Sequence, residues 1–138
     1  MIKNVSLGEE ISIETKNKVG LLADISMILA SEGINIEAAA GYEDGNNAKV
    51  MLITSANLGV VNELRKLKYK SVKETEVVLV DLDNKPGALK VVTTALANNK
   101  IDIKYHYLTA CSCRCASRMV LQTSDNENAI AVLSKFIG

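Results

Sequence analysis

Asn84-Lys85-Pro86-Gly87-Ala88-Leu89 is a turn able to grip a small anion. Pro86 fixes its own φ and pushes Lys85 toward an extended shape. Gly87 allows a tight bend and lets a ligand approach without meeting a Cβ. The amides of Ala88 and Leu89 open a predicted helix, where N–H groups lack intrahelical partners and favour a carboxylate by about 0.3–1 kcal/mol. Asn84 adds an amide that donates and accepts. Asp102 starts the strand after that helix, and its carboxylate is able to receive an ammonium group. A carboxylate held at one end and an ammonium at the other describe a free amino acid. Taken alone, glycine and asparagine at such a turn are also ordinary capping residues.

The turn occurs twice. Asn17-Lys18-Val19-Gly20-Leu21-Leu22 precedes it, and an offset of 67 residues carries Gly20 onto Gly87, Leu29 onto Leu96, and Asn35-Ile36 onto Asp102-Ile103. A gapless match of this kind indicates duplication. Beyond the next hairpin the offset becomes 69, carrying Leu52 onto Leu121, Thr54 onto Thr123 and Ser55 onto Ser124. The second hairpin is therefore longer, and its extra residues fall in Cys111-Ser112-Cys113-Arg114-Cys115.

These turns require strands and helices around them. In the first copy Ile11, Ile13 and Thr15 alternate as a half-buried strand, and Leu22, Ile25 and Leu29 mark one stripe of a helix near 21–32. Gly33 suits a helix C-terminus. Ile34, Ile36, Ala38 and Ala40 alternate as a second strand, and Glu43-Asp44-Gly45-Asn46 is hairpin chemistry. A third strand follows at 49–55. Val60, Val61, Leu64 and Leu67 fit a second helix, and 72–82 is a long extended run shared between the copies. In the second copy Ala88, Leu89, Val92, Ala95 and Leu96 line a helix, and Ile101, Ile103, Tyr105 and Tyr107 face the helices from a strand. Residues 117–123 form the next strand, with Ile130, Leu133 and Phe136 on a last helix. The order predicts an α+β protein of two ferredoxin-like βαββαβ units, 1–75 and 76–138, with antiparallel sheets and helices on one face. The second unit ends without its own last strand, leaving an open edge for residues 2–7 or a second chain.

This pattern closely resembles the ACT domain, twice in tandem over nearly the whole chain. The resemblance implies an effector site against the glycine turn and the start of the second strand, at the interfaces between units. Carried over, that means Asn84, Gly87, Ala88, Leu89 and Asp102 in the second copy, and Asn17, Gly20, Leu21, Leu22 and Asn35 in the first. Val19 stands where the pattern prefers proline, and Asp102 where asparagine is usual. The resemblance further implies a regulatory protein without catalytic or cofactor residues, pairing as a homodimer and acting on a metabolic enzyme partner.

Composition narrows the alternatives. With 48% hydrophobic and 23% charged residues the chain is globular. Sixteen basic residues balance sixteen acidic ones, which leaves no field for nucleic acid or a membrane surface. No apolar run reaches the roughly 20 residues of a membrane span, and residues 1–7 lack a signal-peptide core. The expected location is the cytoplasm, with thiols reduced. One histidine, and acids without a repeated pair, leave no poised catalytic group. Glu9, Glu10, Glu74 and Glu76 read as solvated strand ends, and Arg65, Lys66, Lys68 and Lys70 as an exposed helix end.

The cysteine hairpin stays open to three readings. It holds small residues filling a turn, or a redox-reactive thiol whose pKa Arg114 lowers. The third is a Cys₃His metal site made by Cys111, Cys113, Cys115 and His106, for which the C-x-C-x-C spacing is unfavourable. A redox- or metal-responsive module, or a protein-interaction subunit without ligand, is the alternative to an effector sensor.

Overall fold

The computed structural model describes residues 1–69, 71–110, 112–113 and 115–138. The chain is α+β. In order it forms β1 (Ile2–Lys16), α1 (Leu21–Ser31), β2 (Ile36–Asp44), β3 (Asn47–Thr54) and α2 (Asn57–Lys66). β4 (Ser71–Leu82), α3 (Ala88–Asn98), β5 (Ile103–Thr109), β6 (Ser117–Thr123) and α4 (Asn126–Ser134) follow. It divides into two compact units. The first is Glu9–Thr75, and the second is Met1–Gly8 together with Glu76–Gly138. β1 and β4 are long because each contributes one half to each unit.

In the first unit the strands run β2-β3-β1-β4. β3 pairs antiparallel with both β1 and β2, with Ile11 opposite Leu52 and Ile13 opposite Val50. One face of this sheet carries Ile11, Ile13, Val50 and Leu52, which pack with Leu21, Ile25 and Leu29 of α1 and Val60, Val61 and Leu64 of α2. In α1 the buried stripe is Leu21-Ile25-Leu29, at i, i+4, i+8. Leu22, expected on that stripe, is 57% exposed. Leu67 caps α2 and is exposed as well.

The second unit has the order β1-β4-β6-β5, so residues 2–8 occupy the edge beside β4. Ile2 is fully buried with Val78, Val80, Leu82, Met119 and Leu121, against Val92 and Leu96 of α3 and Ala129 and Leu133 of α4. The Asp83 N–H donates to Met1 O at 2.8 Å. Gly8 permits a close approach: a Cβ there would lie 2.6 Å from Leu79 Cδ1, and that side chain would have to shift. Phe136, expected on α4, lies beyond its end and is half-exposed. Glu10, expected at a solvated strand end, is fully buried. Among the described residues no buried side-chain nitrogen or oxygen lacks a hydrogen bond. Arg65 and Lys66 do sit in the last turn of α2; Lys70 lies outside the described residues.

The second strand of each unit departs from simple alternation. Between Ile36 and Ala38, and again between Ile103 and Tyr105, two steps on one strand face one step on its partner. Such a bulge reverses which residues face which side. After it, Ala38 and Ala40 pair with Ile53 and Met51, on the face away from the helices, and Ala39 and Gly41 come to the helix side opposite Leu52 and Val50. Tyr105 and Tyr107 pair with Gln122 and Val120 in the same way. They turn away from the helices, contrary to the alternation of the sequence.

Candidate functional site

The site grows from the end of β1. At Asn17 the backbone N–H donates to Asn46 O at 2.8 Å, tying this turn to the β2–β3 hairpin. The Asn17 side chain then reaches Glu43, its Nδ2 donating to Oε2 at 2.7 Å. Gly20, at φ 88°, caps α1 in the left-handed region that favours glycine. No side chain caps the helix. The Leu21 N–H makes a long bond of 3.3 Å to Lys18 O, and the Asp24 N–H binds Gly20 O at 2.9 Å. Between them the Leu22 N–H has no partner among the described residues. Lys18 Nζ pairs with Asp24 at 2.9 Å, and the hydrogen bond and charge of that carboxylate raise the Lys18 pKa.

These groups wall a cavity of about 430 Å³. Asn17, Lys18, Gly20, Leu21 and Leu22 form one side. Ala39, Gly41, Ala48 and Val50 lie across from them, with Tyr42 and Glu43 at the hairpin end. The bulge in β2 is what brings Ala39 and Gly41 to this side, where small side chains leave the room.

Four of the five residues marked in the first copy thus meet at one cavity. Asn35 is not among its lining residues. Instead its N–H donates to Ser55 Oγ at 3.0 Å and its carbonyl accepts from the Ser55 N–H at 3.1 Å. Asp102 repeats this with Ser124, at 3.0 and 2.9 Å. The two serines are the pair that the 69-residue offset relates, and the clamp gives their recurrence a structural reason; it engages only the backbone of Asn35 and Asp102 and does not call for their side chains. Both side chains are exposed.

The second turn has the same backbone. Gly87 caps α3 at φ 90° without a side-chain cap, and the Ala88 N–H binds Lys85 O at 3.3 Å. The first amide of each turn is therefore engaged, contrary to the expectation for Ala88, and the Leu89 N–H has no partner among the described residues. Asn84 lines a different cavity, with Lys3, Asp83, Lys85, Ser112 and Cys113. Gly87, Ala88, Leu89 and Asp102 are not part of that lining. Asp83 pairs with Lys3 at 3.4 Å, Lys85 at 3.6 Å and the N-terminal ammonium at 3.4 Å. Desolvation pushes its carboxyl up, but hydrogen bonds and charge from Lys3 and the terminus outweigh this and hold it below its ordinary value.

Cys111 and Arg114 lie outside the described residues. Cys113 is exposed and free, with its Sγ 3.4 Å from the Sγ of Cys115, which is disulfide-bonded, contrary to the expectation of reduced thiols. His106 is exposed on β5, opposite Leu121. No three His, Cys, Asp or Glu residues among those described are grouped to hold a metal ion. No helix among the described residues is long and apolar enough to cross a membrane.

One repeated feature escaped the sequence reading. Thr54 Oγ1 donates to Asn57 Oδ1 at 2.6 Å, and Asn57 Nδ2 donates to Glu9 O at 2.9 Å. In the second unit Thr123 Oγ1 donates to Asn126 Oδ1 at 2.7 Å, and Asn126 Nδ2 to Glu76 O at 2.9 Å. The signal was available as Thr-x-x-Asn at the 69-residue offset.

Comparison with known proteins agrees with this architecture. The family model of the ACT domain matches residues 10–68, so an ACT domain is present in that stretch. The crystal structure of protein BT0572 from Bacteroides thetaiotaomicron is similar at 27% identity and a TM-score of 0.87, over 96% of this chain and 90% of that one. The regulatory subunit of aspartate kinase from Thermus thermophilus, in its ligand-free form, has the same fold at 12% identity and TM-score 0.68, with 97% of each chain covered. E. coli aspartokinase III, in complex with lysine and aspartate, shares it at 17% identity and TM-score 0.56, over 99% of this chain and 33% of that chain. No curated protein matches significantly.

Proposed function

We propose that this protein is a non-enzymatic regulatory protein made of two ACT units in tandem, and that it binds a small amino-acid effector. The carrying observation is the cavity of about 430 Å³ walled by Asn17, Gly20, Leu21 and Leu22. The Leu22 amide, at the positive end of α1, suits the effector carboxylate. In the second unit Asn84, Gly87, Ala88 and Leu89 repeat the turn. Occurrence of the same fold as a kinase regulatory subunit in Thermus thermophilus supports the reading. The effector acts by binding one arrangement of the protein better than another, in a homodimer that contacts a metabolic enzyme. Calorimetry of the full chain against the twenty amino acids tests this. Heat from at least one at millimolar concentration is expected, and silence from all of them refutes it.

A second reading is favoured by the place of Cys113 on the wall of the cavity that holds Asn84 and Lys85. There a thiol-directed modification would act on the second turn. Reaction of Cys113 with iodoacetamide that leaves effector binding and oligomeric state unaltered counts against it.

A further inference from the structure

We propose that the first unit takes a ligand carrying an ammonium group and a compact apolar side chain, with Glu43 as the ammonium receptor, and that the second unit lacks this site. The proposal rests on the effector-binding reading and deepens it. Glu43 is an exposed carboxylate at the cavity wall, and one of its oxygens accepts from Asn17 Nδ2 at 2.7 Å. An ionised carboxylate offers about four acceptor sites. The amide takes one and fixes the direction of the group, and the others suit the three donors of an ammonium. The opposite wall carries the small apolar Ala39, Gly41, Ala48 and Val50, with Lys49 also in the lining. The two lysines of the lining, Lys18 and Lys49, are paired with Asp24 and Glu14. A charged side chain pressed against the four apolar residues would therefore lose water and compete with those carboxylates or meet a like charge, whereas an alkyl group loses nothing.

The same register positions differ in the second unit. Ala39 stands opposite Leu52 and Gly41 opposite Val50. Their counterparts are His106 opposite Leu121 and Leu108 opposite Met119. An imidazole and an isobutyl group thus replace a methyl group and a hydrogen on the wall. At the 67-residue offset, Ala110 replaces Glu43. Both the receptor and the room are missing from the repeated position.

Calorimetry on the full chain separates the possibilities, using alanine, valine and leucine beside propionate, 3-methylbutanoate and 4-methylpentanoate. The latter three are the same molecules without the amine. At least one of the three amino acids binds, at one per chain, and its deaminated partner binds at least tenfold more weakly. Glu43→Gln, on the surface, keeps the fold by circular dichroism and weakens binding at least tenfold. Ala39→His and the milder Ala39→Val fill the cavity and weaken binding in that order of severity. Equal binding by Glu43→Gln, equal binding of the deaminated partner, or two ligands per chain overturns the proposal and leaves the effector reading standing. So does binding confined to charged amino acids. If none of the twenty amino acids binds, both fall.

Discussion

Asn126→Ala removes a side chain that ties three pieces of the second unit together. Its Oδ1 accepts from the Thr123 N–H at 3.0 Å and Thr123 Oγ1 at 2.7 Å, and its Nδ2 donates to Glu76 O and Gln122 Oε1, both at 2.9 Å. Each bond contributes about 1 kcal/mol net, and a buried group left without a partner costs about 1–3 kcal/mol. Thr123 is only 5% exposed, so its N–H is poorly placed to find water. Gln122 and the Glu76 carbonyl are better placed for it, which discounts two of the four bonds. The expected loss is about 2–4 kcal/mol. Asn57→Ala is the internal control. Asn57 makes bonds to Thr54 Oγ1 and Glu9 O, and Thr54 is less buried than Thr123, so its loss should be about 1–2 kcal/mol. Urea unfolding followed by circular dichroism gives both values. A double-mutant cycle with Thr123→Val should show coupling above about 0.5 kcal/mol. An Asn126→Ala loss equal to or below that of Asn57→Ala, or additive behaviour with Thr123→Val, would refute the view that these networks clamp strand to helix.

Further expectations follow from backbone and charge. Gly20→Ala forces a Cβ into the left-handed region at φ 88° with open space around it, so the unfolding free energy should fall by about 1 kcal/mol from backbone strain alone. Gly8→Ala sets a Cβ 2.6 Å from Leu79 Cδ1, costing about 1–3 kcal/mol; Leu79→Ala added to it should recover part of the loss, and no recovery would place the strain elsewhere. The hydrogen bond that protonated Glu74 donates to Glu9, desolvation and the Glu9 charge together raise the Glu74 pKa above its ordinary value. Its contribution to stability is thus full below the unfolded value and is lost as pH rises through the folded one. Thermal midpoints of Glu74→Gln should therefore fall less than wild type between about pH 4 and pH 7, and parallel curves would count against the shared proton. Asp83 works in the opposite direction. Its lowered pKa stabilises above the unfolded value and fades as pH falls through the folded one, so Asp83→Asn should flatten the acid limb of the same curve.

The repeat makes much of the fold legible in the sequence. Stripes such as Ile25-Leu29 and Val92-Leu96 follow from a 3.6-residue period that any helix shares, and Gly20 and Gly87 mark a backbone angle that other residues avoid. Four turn residues of the first copy also meet at one cavity. Tertiary structure decided what forms the rest of that cavity. An alternating strand shows which residues share a face only if its register is unbroken, and one bulge in β2 exchanges the two faces for every residue after it. The amino acids around Glu37 do not announce that slip, because it is set by pairing with β3, a strand that the hairpin folds back upon β2. Hence Ala39, Gly41 and Glu43 entered the site only with the fold. Tyr105 and Tyr107 left the helix-facing core for the same reason. Local sequence fixes which elements form; hydrogen-bond register between strands, a property of two segments at once, fixes which side chains meet.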